Sequence, residues 1–235
     1  MAKTLTVVTG KGGVGKSTVA RFLAHRAKER KAPLALFDAD PSNYSLSRYY
    51  KDATSISSAS ENGQIKFLTD KVWPATGQGD VLVDLGAGRD TIFAQWAQRS
   101  NLVPLAEGEG VKVSVLGVLG TEVEGLSSLA GVFQVTQGAR HTIVLNHKNG
   151  EDDDDFSDVM DHALFKKLAG SGAAVVRTPP MFGNALKKLQ TEGIAFESAL
   201  IGAPTNDGTA RISPIERQWI ISWLRGMDAS LKDVP

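Results

Sequence analysis

The chain has 235 residues, and its 26 Lys plus Arg are matched by 26 Asp plus Glu, so it lacks the bulk positive field of a protein that coats nucleic acid by net charge. With 42% hydrophobic and 22% charged residues, the composition suits a soluble globular chain, and the length suits one α/β domain over 1–235. Cysteine is absent, which excludes disulfides, thiolate zinc sites, iron–sulfur ligation by these residues and cysteine nucleophiles, and fits a cytoplasmic protein.

The first residues, Met1 to Thr4, lead straight into an apolar run with no signal-peptide pattern. No stretch reaches the roughly 18 consecutive apolar residues of a bilayer span, so a soluble or peripheral protein is expected. Residues 5–8 read as a strand, followed by a glycine loop and then Val19, Phe22, Leu23 and Ala27 at helical spacing. Residues 34–37 and 81–85 read as strands without polar alternation, as in strands covered on both faces. The runs 102–105, 142–145 and 173–176 continue the strand series, and helical periodicity is read at 90–99, 111–135, 156–168 and 184–192. Strands alternating with helices predict a doubly wound, mostly parallel sheet with helices on both faces.

Two stretches interrupt this rhythm. Residues 42–65, rich in Ser, Tyr, Asn and Gly, predict a mobile surface segment, and the acidic run 151–155 predicts a solvated loop. Near the end, Ser213-Pro214-Ile215-Glu216 spells a capping box with Pro at the first helical position. Ile215, Trp219 and Trp223 follow at steps of four, a stripe that Ile220 and Leu224 widen.

Between the first strand and helix, Gly10-Lys11-Gly12-Gly13-Val14-Gly15-Lys16-Ser17-Thr18 satisfies the phosphate-loop pattern G-x-x-x-x-G-K-[ST]. Its glycines allow backbone N–H groups to turn inward around phosphates, Lys16 reaches the β- and γ-phosphates, and the Ser17 hydroxyl binds Mg²⁺. The lysine at position 11 makes the segment resemble the deviant Walker A ATPases of the ParA/MinD superfamily. That resemblance implies an α/β P-loop NTPase fold, ATP and Mg²⁺ as cofactors, and an ATP-dependent homodimer in which Lys11 reaches the partner's phosphates.

Asp38-Ala39-Asp40-Pro41-Ser42-Asn43 resembles the family's first switch, D-x-D-P-x-x-N, and implies Asp40 for the attacking water and Asp38 for a metal-side contact. Taken alone, these residues also suit an Asx turn before Pro. Val83-Asp84-Leu85-Gly86-Ala87-Gly88 looks like a Walker B aspartate with a second switch, implying Asp84 for Mg²⁺; Gly86 stands where the MinD-like pattern has Pro. Asn146 follows a strand where the family places an adenine contact, and Pro179 with Pro180 falls where a base-stacking loop is usual.

The resemblance implies a slow ATPase switch that positions or partitions DNA or another cargo, is activated by a partner protein and is cytoplasmic or nucleoid-associated. Lys187, Lys188, Arg211, Arg217 and Arg225 are the candidates for non-specific DNA contact. A MinD-like membrane role is disfavoured, because Glu216, Asp228 and Asp233 balance Arg217, Arg225 and Lys232 in the last helix region. A metabolic ligase or assembly enzyme on the same fold is the alternative; reductase and arsenite-pump readings require cysteines, and a tyrosine-kinase reading requires a terminal tyrosine cluster.

Overall fold

The computed structural model describes residues 3–147, 156–202 and 212–234; the acidic run 151–155 and Arg211 lie outside the described residues. The strands are β1 (Lys3–Thr9), β2 (Leu34–Ala39), β3 (Thr54–Ser55), β4 (Asp80–Leu85), β5 (Val111–Leu119), β6 (Arg140–Leu145) and β7 (Ala174–Arg177). They form one sheet in the order β3-β2-β4-β1-β5-β6-β7, with each neighbouring pair parallel. Both faces are buried, as continuous apolar strands require. Leu5, Val7 and Val83 enter one core layer with Phe93 of α4 (Asp90–Arg99), Leu129 of α6 (Gly125–Val135) and Phe165 of α8 (Ala163–Gly170). Val8, Leu36 and Leu82 enter the other with Phe22 of α1 (Lys16–Glu29), Leu189 of α9 (Ala185–Glu192), Phe196 of α10 (Phe196–Leu200) and Met227 of α11 (Pro214–Ser230). The doubly wound α/β sheet is as expected.

Two assignments between residues 102 and 135 are corrected. Residues 102–105 begin helix α5 (Leu102–Gly108): Asn101 turns the chain with φ 50, and Pro104 falls in the first turn, where a missing N–H costs no helical bond. A short apolar run cannot by itself distinguish a strand from a buried helix turn. The run 111–135, read as one helix, is strand β5 followed by α6. Val111, Val113 and Val115 alternate with Lys112 and Ser114, the period of a strand. At Gly117 a side chain would meet the Leu129 methyl at 2.1 Å, so α6 lies directly on β5 there.

Residues 42–65 are also corrected, from mobile surface segment to anchored structure. Leu46, Tyr50 and Ile56 are buried, β3 joins the sheet edge, and α2 (Glu61–Phe67) begins at a Ser60 cap. Arg21 of α1 lies over the Tyr49 ring at 3.5 Å and the Phe196 ring at 4.8 Å, while Tyr50 donates to the Arg21 carbonyl. Arg48 and Tyr49 donate to Thr191 and Gln190 carbonyls at the end of α9. After α2, a π-helical stretch (Leu68–Val72) leads into α3 (Trp73–Thr76). The helix read at 156–168 is two pieces, α7 (Ser157–Asp161) and α8, separated at His162, whose extended backbone and ring nitrogen cap α8 through the Leu164 amide.

The capping box at Ser213 and Glu216 is present in both directions. Within α11 the buried residues are Ile220, Trp223, Leu224 and Met227, whereas Ile215 is 56% exposed, so the buried stripe begins one turn later than its sequence pattern. The C-terminal end of α11 is closed by Arg26, whose guanidinium donates to the carbonyls of Leu231 and Val234, each at 2.7 Å. Removing this buried, charged donor leaves two carbonyls without it. Arg26→Ala should therefore destabilise the fold by about 2–3 kcal/mol in urea unfolding, with ADP affinity unchanged because the change lies far from the phosphate loop.

Candidate functional site

The C-terminal edge of the sheet gathers the predicted residues. β1 ends in the phosphate loop, which turns into α1 with Gly15 at φ 94 and with Thr18 and Val19 amides donating to its carbonyl. No side chain is admissible at Gly15 for a second reason: a Cβ would stand 2.2 Å from the Asn146 amide nitrogen. Gly13, Gly15, Lys16, Ser17, Thr18, Asp40 and Asn146 line one cavity of about 500 Å³, closed on its far side by Met181, Asn184, Lys187, Gln190 and Trp223. A groove at the carboxyl ends of parallel strands, at the N-terminus of a helix, is suited to phosphate groups.

Lys16 is buried and donates to the Lys11 carbonyl at 2.9 Å. Burial lowers its pKa, and the carboxylates of Asp84, Asp90 and Asp40 oppose that effect. Beneath it, parallel register sets Asp38 of β2 level with Asp84 of β4, and both are fully buried. The two carboxylates are used differently. Asp38 accepts from the Asp40, Leu46 and Ser47 amides and from the Ser47 hydroxyl at 2.8–3.1 Å, so it anchors the loop that follows β2. Neither Asp84 oxygen has a hydrogen-bond partner in the geometry of the described residues. Burial pushes the Asp84 carboxyl up to about 7; the nearby Ser17 hydroxyl and Lys16 pull it down, and Asp38 and Asp40 push it up. An orphaned buried carboxylate beside a hydroxyl and under a phosphate loop fits a divalent cation such as Mg²⁺, with Ser17 and Asp84 on its protein side.

Asp40 sits at the cavity wall with its carboxylate held by the Ser42 and Asn43 amides, the Asn43 side chain at 3.1 Å and the Ser45 hydroxyl at 3.4 Å. Burial alone would raise its pKa; these donors, Asn43 first, outweigh it and hold the carboxyl below its ordinary value. Gly86 explains the departure from Pro. A Cβ there would meet the Asp40 Cα at 2.9 Å and its Cβ and Cγ at 3.0 Å, so the two switch segments touch where Gly86 has no side chain.

The structure places the remaining candidates less directly. Lys11 does not line its own cavity; its ammonium pairs with Glu122 at 2.9 Å and Glu124 at 3.7 Å and is raised in pKa, chiefly by the Glu122 hydrogen bond. Asn146 lines the cavity but spends its amide on the loop, donating to the Val14 carbonyl at 2.8 Å while accepting from the Thr178 hydroxyl at 2.8 Å. Pro179 is turned toward α11: its carbonyl accepts from the Trp223 indole at 2.9 Å, and its ring lies against Gly226. Met181, Asn184 and Gln190, which carry no motif, line the cavity instead, and Gln190 reaches the Thr18 hydroxyl at 3.4 Å. Asp90 at the base of the loop was read only as the start of a helix; its position two residues after Gly88 was the available signal.

A phosphate-loop segment between β1 and α1 at the edge of a parallel sheet is the arrangement of a P-loop fold. The ParA family model, described as NUBPL iron-transfer P-loop NTPase, matches residues 1–74. The iron-sulfur cluster carrier protein of Clostridium perfringens (strain 13 / Type A) is 38% identical over 69 residues, which are 28% of this chain and 24% of that protein. The match thus spans about a quarter of the curated relative's length. Among solved structures, the cell division ATPase MinD of Pyrococcus furiosus is similar at a TM-score of 0.57 and 16% identity, covering 97% of this chain and 99% of that one. The septum site-determining protein MinD of Pyrococcus horikoshii OT3, complexed with Mg-ADP, is similar at 0.53 and 17% identity, covering 97% and 96%. The chain thus shares the fold of the MinD structures over nearly its whole length, and its first 74 residues match the ParA family model.

The cost of Asp84 is measurable. Because its folded pKa is raised above the 3.8 of an ordinary aspartate, Asp84's own contribution is most favourable below about pH 4 and is lost as pH rises to about 7. Asp84→Asn should remove that loss, stabilising the nucleotide-free chain by roughly 2–4 kcal/mol at pH 8 and by little at pH 4 in urea titrations, while abolishing Mg²⁺-dependent tightening of nucleotide. Gly86→Ala should displace Asp40 and lower ATP turnover by about tenfold or more while ADP binding persists, read from steady-state rates against ADP titration.

Proposed function

We propose that this chain is an ATP-dependent, dimerising switch ATPase that hydrolyses ATP with Mg²⁺ and uses the cycle to position a cargo, either DNA or another macromolecule. The observation that carries this reading is the separation of the two lysines. Lys16 fills the inside of the phosphate loop, while Lys11, on the same loop, is directed outward onto Glu122 and Glu124 with its side chain 42% exposed. A lysine so placed is available to a second copy and adds nothing to its own cavity, which suits charge neutralisation in trans.

In the proposed site Lys16 binds the β- and γ-phosphates, Ser17 and Asp84 hold Mg²⁺, and Asp40, kept ionised by its donors, orients water toward the γ-phosphate. Bound Mg²⁺ would supply neutralisation of charge on the phosphate oxygens. Asp38 keeps the Asp40 loop in place, which replaces the metal-side contact expected of it. Asn146 supports the loop beneath the nucleotide, and an adenine contact falls to the wall formed by Met181, Asn184 and Gln190.

The relative's name refers to iron–sulfur clusters, which are held by cysteine thiolates. These 235 residues contain no cysteine, so the shared N-terminal segment supports a common nucleotide module, and cluster carriage is not part of the proposal. Two of the basic candidates are engaged elsewhere: Lys188 pairs with Glu216 at 3.1 Å and Lys187 lines the nucleotide cavity. Neither lysine is free to add to a DNA-binding surface without giving up that place.

Light scattering with ADP and with ATP tests this reading. Wild type should double in mass with ATP only, Lys11→Ala should remain monomeric, and Asp40→Ala should accumulate as the ATP-bound dimer. A chain of constant mass under every condition would contradict the proposal.

A further inference from the structure

Asp90, at the start of α4 directly after the turn 86–89, is 5% exposed and connects three elements. Its Oδ1 accepts from the Thr9 hydroxyl and from the Gly10 amide at 3.4 Å, and its Oδ2 accepts from the Ser128 hydroxyl of α6 at 2.8 Å. All three donors are neutral. A buried carboxylate satisfied in this way is a costly means of holding elements together, since apolar contacts would serve a purely structural purpose at lower desolvation cost.

What the carboxylate holds is informative. Gly10, the first residue of the phosphate loop, adopts φ 141, and a side chain there would stand 2.2 Å from the Val118 carbonyl of β5, so Gly10 is confined between β5 and Asp90. On the other side, Ser128 lies in the first turns of α6, and the loop entering α6 carries Glu122 and Glu124, the residues that hold Lys11. Asp90 is also within Coulombic reach of the Lys16 ammonium. One side chain thus joins the base of the phosphate loop, the end of the turn that touches Asp40, and the helix beneath the Lys11 pair.

We propose that Asp90 is a positioning residue that couples the turn 86–89 to the loop holding Lys11, through Thr9 and Gly10 on one side and Ser128 on the other. The inference rests on the switch-ATPase reading. When the turn shifts with the γ-phosphate, α4 carries Asp90 with it, and the Ser128 bond passes that shift to α6 and to the carboxylates that hold Lys11. Hydrolysis and the availability of Lys11 then depend on one hydrogen-bonded joint.

The test compares Ser128→Ala, Asp90→Asn and Asp90→Ala with wild type for ADP affinity, kcat, KM and mass with ATP. Ser128→Ala should bind ADP within about twofold of wild type yet show a kcat reduced about five- to tenfold and a weaker ATP-dependent dimer. Asp90→Asn keeps an acceptor for Thr9 and can donate to Ser128, so it should retain more kcat than Asp90→Ala, which loses both contacts. Wild-type kcat and dimerisation in Ser128→Ala and Asp90→Asn would overturn the proposal. So would a parallel fall of ADP affinity, kcat and melting temperature in all three variants, the signature of a merely structural role. If wild type itself neither turns over ATP nor dimerises with it, the ATPase reading fails first, and that outcome is seen before any substitution is compared.

Discussion

Parallel pairing of β2 with β4 sets Asp38 and Asp84 level at the edge of the sheet, out of water and under the phosphate loop. Burial and the neighbouring Asp38 make Asp84 harder to ionise. The chain answers by satisfying one and leaving the other. Four donors surround Asp38, and those donors belong to the segment that also positions Asp40, so the negative charge on one strand end is converted into the shape of the neighbouring loop. Asp84 is left with its burial cost, which Ser17 and Lys16 offset in part. The remaining features of this edge, from the outward Lys11 to the confined Gly10, are arranged around a charge that a cation and phosphates would relieve.

The loops that surround the cavity are joined by contact as well as by sequence order. Gly86 meets Asp40, and Gly15 meets Asn146, each at distances that leave no room for a methyl group. Asn146 in turn is held by Thr178, which follows β7. A ligand that moves one of these loops therefore moves its neighbour, since close-packed surfaces have few intermediate arrangements. This is a physical basis for a two-state site.

Motif chemistry was legible where it depends on spacing along the chain. The phosphate loop, Asp40, Asp84 and the Ser213 capping box could each be read from adjacent residues; the capping box forms in both directions, Gly15, Lys16 and Asp40 line one cavity, and Asp84 lies near the end of β4. Contacts between distant segments were not legible. Nothing near Asp38 in sequence shows that Leu46 and Ser47 turn back to fill its oxygens, and nothing near Pro179 shows that Trp223 will claim its carbonyl. The errors at 102–119 have a different origin. Short apolar runs satisfy both periods, so Leu102 with Pro104 passed for a strand, and the alternation of Val111, Val113 and Val115 was absorbed into the longer helical pattern beyond it. Composition misled at 42–65, where Ser and Asn suggested mobility but Leu46, Tyr50 and Ile56 supplied the buried anchors.

The stacking of Arg21 between Tyr49 and Phe196, with Arg48 and Tyr49 tied to the end of α9, fastens the chain a few residues beyond Asp40. Only residues 41–45 lie between the aspartate and the first buried anchor, Leu46. Such a span behaves as a short, stiff arm. It has little slack to lose and little conformational search to repeat, so its resting position is set by the clamp behind it. A residue carried on such an arm, once displaced, returns to a fixed stop.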